Sequence, residues 1–393
     1  MEEYKTYKLQ DVIQDIAAGP FGSNLPVSCF TSSGFPIIDG ANLKGFSVTD
    51  NITKFVSEGK ARSLHRSIAK RGDVIVTISG TIGQIAYIPE DSRYTEYLVS
   101  QRQFRVSFDQ TKIYIPFLVY YFHTAEGQHK ILSFANQTGV PALSQPLKNF
   151  KNIEVKIPSV EAQRKMMEPI LSLDSKIEIN RRINGNLEQQ VQALFKAWFV
   201  DFEPFKNGKF VDSELGRIPE GWKVGQLDEL VEIKYGKDHK KLLPGNIPVY
   251  GSGGIMRHVN MPIYEKESVL IPRKGSLNNV LYVNHPFWTV DTMFYTRMKI
   301  NGIAKFIYLF ISPIDLLSMN NGSAVPSMTT EILSKIRLVI PSKNIFDNFE
   351  SLVAPSFDKI GSCNKEICKL SNLRDTLLPK LLSGELSINT ITE

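Results

Sequence analysis

At 393 residues, 42% of them hydrophobic and 22% charged, the chain is ordinary globular material with room for two or three domains. The 46 lysines and arginines against 40 acids leave a net charge of +6, which is compatible with a phosphate-rich partner without demanding one. Cys29, Cys363 and Cys368 have neither CxxC spacing nor a histidine cluster beside them, which argues against a disulfide scaffold or a zinc site and for a reducing compartment. The start MEEYKTYKLQ has no apolar signal region and no run of about 18 apolar residues follows, so a cytoplasmic protein is expected.

In chain order, AAGPFGSNLP (17–26) is loop punctuation, and DVIVTIS (73–79) is a short β-branched run ending at Gly80, as a buried strand entering a turn would. IPFLVYYFHTAEGQHKILSF (115–134) reads as one helix packed on the sheet. Ser159 then caps a long helix, with Glu161 in the first turn where the helix dipole favours an acid. Met166, Ile170, Leu173, Ile177, Asn180, Asn184, Leu187, Val191, Leu194 and Trp198 step by alternating fours and threes, a heptad seam of the kind that pairs helices. The two asparagines weaken such a seam but fix its register and partner. Pro169 is expected to kink the helix or delay its regular part. Some 40 residues at 1.5 Å each span roughly 60 Å, more than a module of this size needs. FEPF (202–205) marks the helix stop.

The second half repeats the first. GVPALSQPLKNFKNIEVKIPS (139–159) returns as AVPSMTTEILSKIRLVIPS (324–342), and LDSKI (173–177) as FDKI (357–360). Upstream, YKLQDVI (7–13) corresponds to WKVGQLDEL (222–230), and GDVIVTISGTIGQIAYI (72–88) to ESVLIPRKGSLNNVLYV (267–283). Here SVLIP ends at Gly275 as the earlier strand ends at Gly80. The second seam is Phe349, Val353, Ser356, Ile360, Cys363, Ile367, Leu370, Arg374, Leu377 and Leu381, less regular but of the same period. The expected fold is α/β (mixed α+β): two globular modules and two long antiparallel helices forming an intramolecular coiled coil, related by an approximate twofold axis. The modules fall at 1–158 and 204–342, the helices at 159–203 and 343–385, and a tail at 386–393. Antiparallel pairing would set Phe195, Trp198, Phe199, Phe202 and Phe205 against the opposite module at one end, and Leu377 to Leu382 at the other.

Catalytic signatures are missing from this sequence. There is no GxxxxGK[ST] phosphate loop and no Asp/Asn-Pro-Pro-aromatic run. The acids of YEKES (264–268) would need a further acid to hold a metal, the six histidines are scattered, and Ser79 and Ser276 follow no nucleophile-elbow pattern. A chain without an active site or metal of its own is expected.

The segment EAQRKMMEPILSLDSKIEINRRINGNLEQQVQALFKAWFVDFEPF (161–205) closely resembles the central repeat of type I restriction–modification specificity subunits. NIFDNFESLVAPSFDKI (344–360) with LSNLRDTLLPKLLSGEL (370–386) resembles their C-terminal repeat, and GPFGSNL and GDVIVTISGT look like scaffold turns and strands of their target-recognition domains. The resemblance implies a non-catalytic DNA-specificity subunit for host defence, each module being a target-recognition domain that reads half of a split double-stranded DNA site while the helices set the gap. It further implies two modification subunits that carry S-adenosylmethionine and methylate adenine, and restriction subunits that use ATP and Mg, with no cofactor on this chain.

Identical halves of a homodimer meet palindromes, whereas a fused, diverged duplication should meet a bipartite, asymmetric site. TISGT in the first module aligns with PRKGS in the second, which makes Ser79, Thr81, Arg273 and Lys274 candidate base contacts beside equivalent glycines. SQRQF (100–104) adds Arg102 and Gln103, the latter suited to adenine; Lys240 and Lys241 of GKDHKK (236–241) suit phosphates, and Lys44 is a further candidate. The alternative is a two-headed coiled-coil adaptor that links proteins without sequence-specific DNA binding.

Overall fold

A computed structural model describes residues 4–136, 139–319 and 327–386. Ala324 to Pro326 of the repeated segment, and all of the 386–393 tail except Leu386, lie outside the described residues. The chain divides into two compact units: the first holds 1–178 and 368–393, the second 179–367. Among the described residues no helix is long and apolar enough to cross a membrane.

The first unit is built on a four-stranded antiparallel sheet in the order Ile13–Ala18, Gln103–Phe108, Val74–Thr77, Ile85–Tyr87. Val74–Thr77 is buried throughout, as its unbroken apolar run demands. A second sheet carries the parallel pairing of Phe35–Ile38 with Glu96–Val99, and Lys5–Lys8 pairs with Glu154–Ile157. The single helix expected over 115–134 is in fact two, Ile115–His123 and Ala125–Leu132. Thr124 breaks it by accepting the Gly127 N–H at 3.2 Å, and the chain doubles back so closely that a side chain at Gly127 would meet the Tyr121 carbonyl at 2.2 Å.

The second unit repeats the central sheet strand for strand: Val231–Tyr235, Met293–Met298, Ser268–Pro272, Leu281–Val283 in the same order, all antiparallel. Lys223–Gln226 pairs with Arg337–Ile340, Ile247–Gly251 runs parallel to Trp288–Thr289, and Ala304–Ile311 stands where the first unit has its helix pair. Inside it Lys305, only 5% exposed, bonds Glu350 at 2.5 Å and Glu267 at 3.2 Å.

The long helices span Val160–Phe199 and Lys343–Ser383. The Ser159 hydroxyl accepts the Ala162 N–H at 3.3 Å, and Phe202, in the left-handed region at φ 53°, ends the first helix's path. Pro169 lies inside the first helix without delaying its start at Val160, and Met166, Met167 and Ile170 on either side are sunk in the first unit's core. All twenty seam positions are buried or half-buried.

Within the second unit, Asn180 donates to Glu366 at 2.9 Å and Asn184 to Asn364 at 2.7 Å; advancing along one helix means retreating along the other. The seam asparagines thus bond across the pair, as register-setting residues must. Val191, Phe195 and Phe199 end in this unit's core against Phe306, Phe346, Phe349 and Val353. In the first unit the reverse holds: Leu378 and Leu381 of the second helix enter the core that contains Met166, Met167 and Ile170. Each core therefore contains the last turns of the helix that follows the other module. Fully burying each such side chain contributes about 1.5–3 kcal/mol.

Arg374, the one charged residue of the seam, bonds Asp174 of the facing helix at 2.6 Å and lies 5.0 Å from the Phe46 ring centre. Asp174 also accepts the Tyr120 hydroxyl, and Tyr120 stacks on Phe46 at 3.8 Å. Burial alone would lower the Arg374 pKa, but the bonds to Asp174 and Asp375 more than offset it and keep the guanidinium charged. Burial, and then the neighbouring carboxylate, push the Tyr120 phenol far up, so it remains a donor. Arg374→Met leaves Asp174 without its counter-charge and should cost about 2–3 kcal/mol, between an exposed pair and a fully buried one. The double variant with Asp174→Leu should recover part of that loss in urea unfolding; single variants that cost under about 0.5 kcal/mol would show the pair to be screened by solvent.

Candidate nucleic-acid interface

Strand register brings the predicted contact residues to one edge of each central sheet. In the first unit Phe104 lies opposite Ala18 and Gln103 opposite Thr77, so the loops 19–25, 78–82 and 100–102 leave the sheet side by side. In the second unit Tyr235 lies opposite Phe294 and Pro272 opposite Met293, which gathers the loops 236–241, 273–276 and 290–292 in the same way.

Glycines allow these loops to touch. A Cβ on Gly19 would lie 1.9 Å from the Ser100 carbonyl oxygen, and one on Gly236 would lie 2.0 Å from that of Val290. Gly19 donates to the Gln103 carbonyl at 2.8 Å, and Gly236 to that of Met293 at 3.0 Å. Ser79 bridges to Ala142 and Lys274 to Ser327, so the turns after the buried strands are anchored at matching points. The two edges are one backbone design carried by different side chains.

On the first edge Gly80, at φ 89°, turns the chain so that Thr81 is exposed and Ser79 half-buried. Exposed Arg102 lies over this turn, its Nη1 3.7 Å from where a Cβ of Gly80 would be, and its guanidinium has no hydrogen-bond or ion-pair partner among the described residues. Gln103 does not belong with it. As the first residue of its strand it points inward, is 2% exposed and accepts the Ser100 hydroxyl, so its amide is not available to a base. Lys44 is exposed just beyond the Gly40–Asn42 turn. The most exposed large hydrophobic residue described, Phe21 at 83%, sits on the 19–25 loop, which the sequence presents only as a turn.

On the second edge Arg273 is held in place. Its N–H donates to the Thr292 carbonyl at 2.8 Å, its Nη1 to that of Asp291 at 3.3 Å, and its guanidinium lies 5.3 Å from the centre of the half-exposed Tyr235 ring. Exposed Lys274 follows it. Across from them a cleft of about 700 Å³ is lined by Asp238, His239, Lys240, Met256, Asp291 and Thr292. The Asp238 carboxylate accepts the Lys240 N–H at 3.1 Å, a bond that holds its pKa below the ordinary value and fixes the loop; Lys240 and Lys241 both remain exposed. Arg257 supports the loop from the neighbouring hairpin, donating to the carbonyls of His239 at 3.0 Å and Leu242 at 2.7 Å. Tyr235 and Arg257 were not evident in the sequence, since neither has a motif around it.

This edge is suited to binding, with one held cation, Arg273, exposed lysines and an exposed ring, Tyr235, at the end of a four-stranded sheet. No His, Cys, Asp or Glu cluster among the described residues is arranged to hold a metal. A family model described as the type I restriction modification DNA specificity domain matches residues 1–189 and again 219–360. The MjaIX specificity subunit of a type I restriction enzyme from Methanocaldococcus jannaschii is 26% identical, over 86% of this chain and 82% of its own length. The HindI specificity subunit from Haemophilus influenzae is 24% identical over 98% of this chain and all of its own. In fold, the crystal structure of a type I restriction–modification system S subunit from M. genitalium is similar with a TM-score of 0.57, at 18% identity, covering 97% of this chain and 96% of that one. Matched twice, once by each of its repeated modules, the chain belongs to the type I restriction–modification DNA specificity family.

Proposed function

We propose that this chain supplies the DNA sequence specificity of a type I restriction–modification complex. The first unit reads one half of a bipartite, asymmetric site through Ser79, Thr81 and Arg102, and the second unit reads the other half through Arg273 and Lys274, with Lys240 and Lys241 on phosphates and Lys44 a further candidate contact. The carrying observation is the pair of equivalent sheet edges: Ile78–Ser79 and Arg273–Lys274 occupy one backbone position with different chemistry, as two readers of different sequences require. The long helices set the gap between the half-sites and dock two modification subunits, to which restriction subunits add. Catalysis belongs to those partners: S-adenosylmethionine binds the modification subunits, and ATP and Mg the restriction subunits. Double-stranded DNA is the ligand of this chain itself.

Mapping methylated adenines in a host carrying the complete system tests the reading directly, and methylation without a fixed bipartite motif would refute it. Arg273→Ala should relax the requirement at one guanine of the second half-site, a paired contact discriminating by about 1–3 kcal/mol, with the first half-site unchanged. Lys240→Ala with Lys241→Ala should weaken binding to all sequences alike and reduce the slope of log K against log salt by up to about 2. Deleting one heptad from each helix should shorten the methylated motif's gap by on the order of three base pairs, from about 10 Å of lost helix at 3.4 Å per base pair. An unchanged gap would show that the helices do not measure it.

A further inference from the structure

Phe21 has no role in the reading above. A single exposed apolar residue is common on protein surfaces and means little by itself. Phe21 differs in how its turn is held and in what lies beside it. Two residues before it, Gly19 is pressed against the Ser100 carbonyl and bonded to Gln103; four residues after it, Leu25 is 6% exposed in the core beneath. The Asn24 N–H closes the turn on the Phe21 carbonyl at 2.8 Å, and Gly22 packs on the Gln101 side chain, its would-be Cβ 2.6 Å from Oε1. The turn is thus pinned at both ends, with the ring outward, against the same short loop that carries the unpartnered Arg102 guanidinium. The matching loop of the second unit, counted from Gly236, presents the polar run Asp238 to Lys241 instead. A bare aromatic ring on a turn packed against the loop of an unpaired cation, on an edge whose counterpart is basic and polar, fits a ligand with both phosphates and flat apolar surfaces.

We propose that Phe21 is a stacking wedge: its ring enters the base stack at one step in or beside the first unit's half-site while Arg102 holds the adjacent groove or backbone. The inference rests on the DNA-reading role proposed above and adds a local distortion of the DNA to it. Aromatic and aliphatic side chains inserted in this way unstack a step and are tolerant of sequence, because every base has a π-face.

The test uses the specificity subunit assembled with its modification subunits and duplexes carrying the mapped site, with 2-aminopurine placed in turn at each position of the first half-site and its flanks except the methylated adenine, which a methyltransferase turns out of the stack by itself. The wild-type complex should give enhanced fluorescence at one step. Phe21→Ala should abolish that signal and weaken binding by roughly 5- to 100-fold, the range for a base–aromatic contact, while Phe21→Trp keeps both. Val27→Ala, an equally exposed apolar position (79%) beyond the turn, should change neither. Specific binding by the wild type with no enhanced step, or an enhanced step that survives in Phe21→Ala, overturns the wedge alone. Loss of the modification subunits from the Phe21→Ala complex overturns it in favour of a protein contact. A wild-type complex that binds all duplexes equally sinks the DNA-reading role and the wedge together.

Discussion

The structure depends on an exchange of helix ends. Leu378 and Leu381 belong to the helix that follows the second module, yet they lie in the core of the first unit; Val191, Phe195 and Phe199 follow the first module and lie in the core of the second. Apolar burial of this kind is non-directional, so by itself it would tolerate several arrangements of two amphipathic helices. Direction and register come from the polar atoms between them. Asn180 with Glu366, Asn184 with Asn364, and Asp174 with Arg374 can all bond only if the helices run antiparallel in one alignment. Any slip would strand buried polar groups, which costs more than the lost contacts themselves.

On this foundation each sheet presents its loops at one edge. The close approach of Gly19 to Ser100 and of Gly236 to Val290 locks neighbouring loops together, so loops separated by more than fifty positions in the chain stand next to one another. Rigid placement matters for recognition, because a guanidinium already held by Asp291 and Tyr235 loses less freedom when it meets a base than one on a mobile loop. The conserved backbone of the two edges and their divergent side chains divide the labour between fold and specificity.

The duplication and the helices were legible in the sequence because they are periodic: one repeat of whole segments and one of apolar positions. The seam could be written out residue by residue, including Arg374, although its partners Asp174 and Phe46 could not be named from spacing. What stayed hidden depends on single contacts in three dimensions. Gln103 follows exposed Arg102 by one residue and is buried, since strand side chains alternate and the phase at a strand's first residue is not written in SQRQF. The break at Thr124 requires the approach of Gly127 to Tyr121. Lys305, the one charge in AKFIYLFI, is buried because Glu267 and Glu350, distant in sequence, reach it from the protein's surface layer. Phe21 lies in GPFGSNL, which reads as a scaffold turn, and only its exposure sets it apart.

The exchange of helix ends also bears on biosynthesis. The first module leaves the ribosome with Met166, Met167 and Ile170 facing a gap that residues 378 to 381 will fill. At synthesis rates of about 5–20 residues per second, that gap stays open for on the order of 10–40 s. The nascent chain thus carries an unsealed apolar surface on its first half until translation is nearly finished, whereas the second core, whose members end at Phe357, is complete earlier.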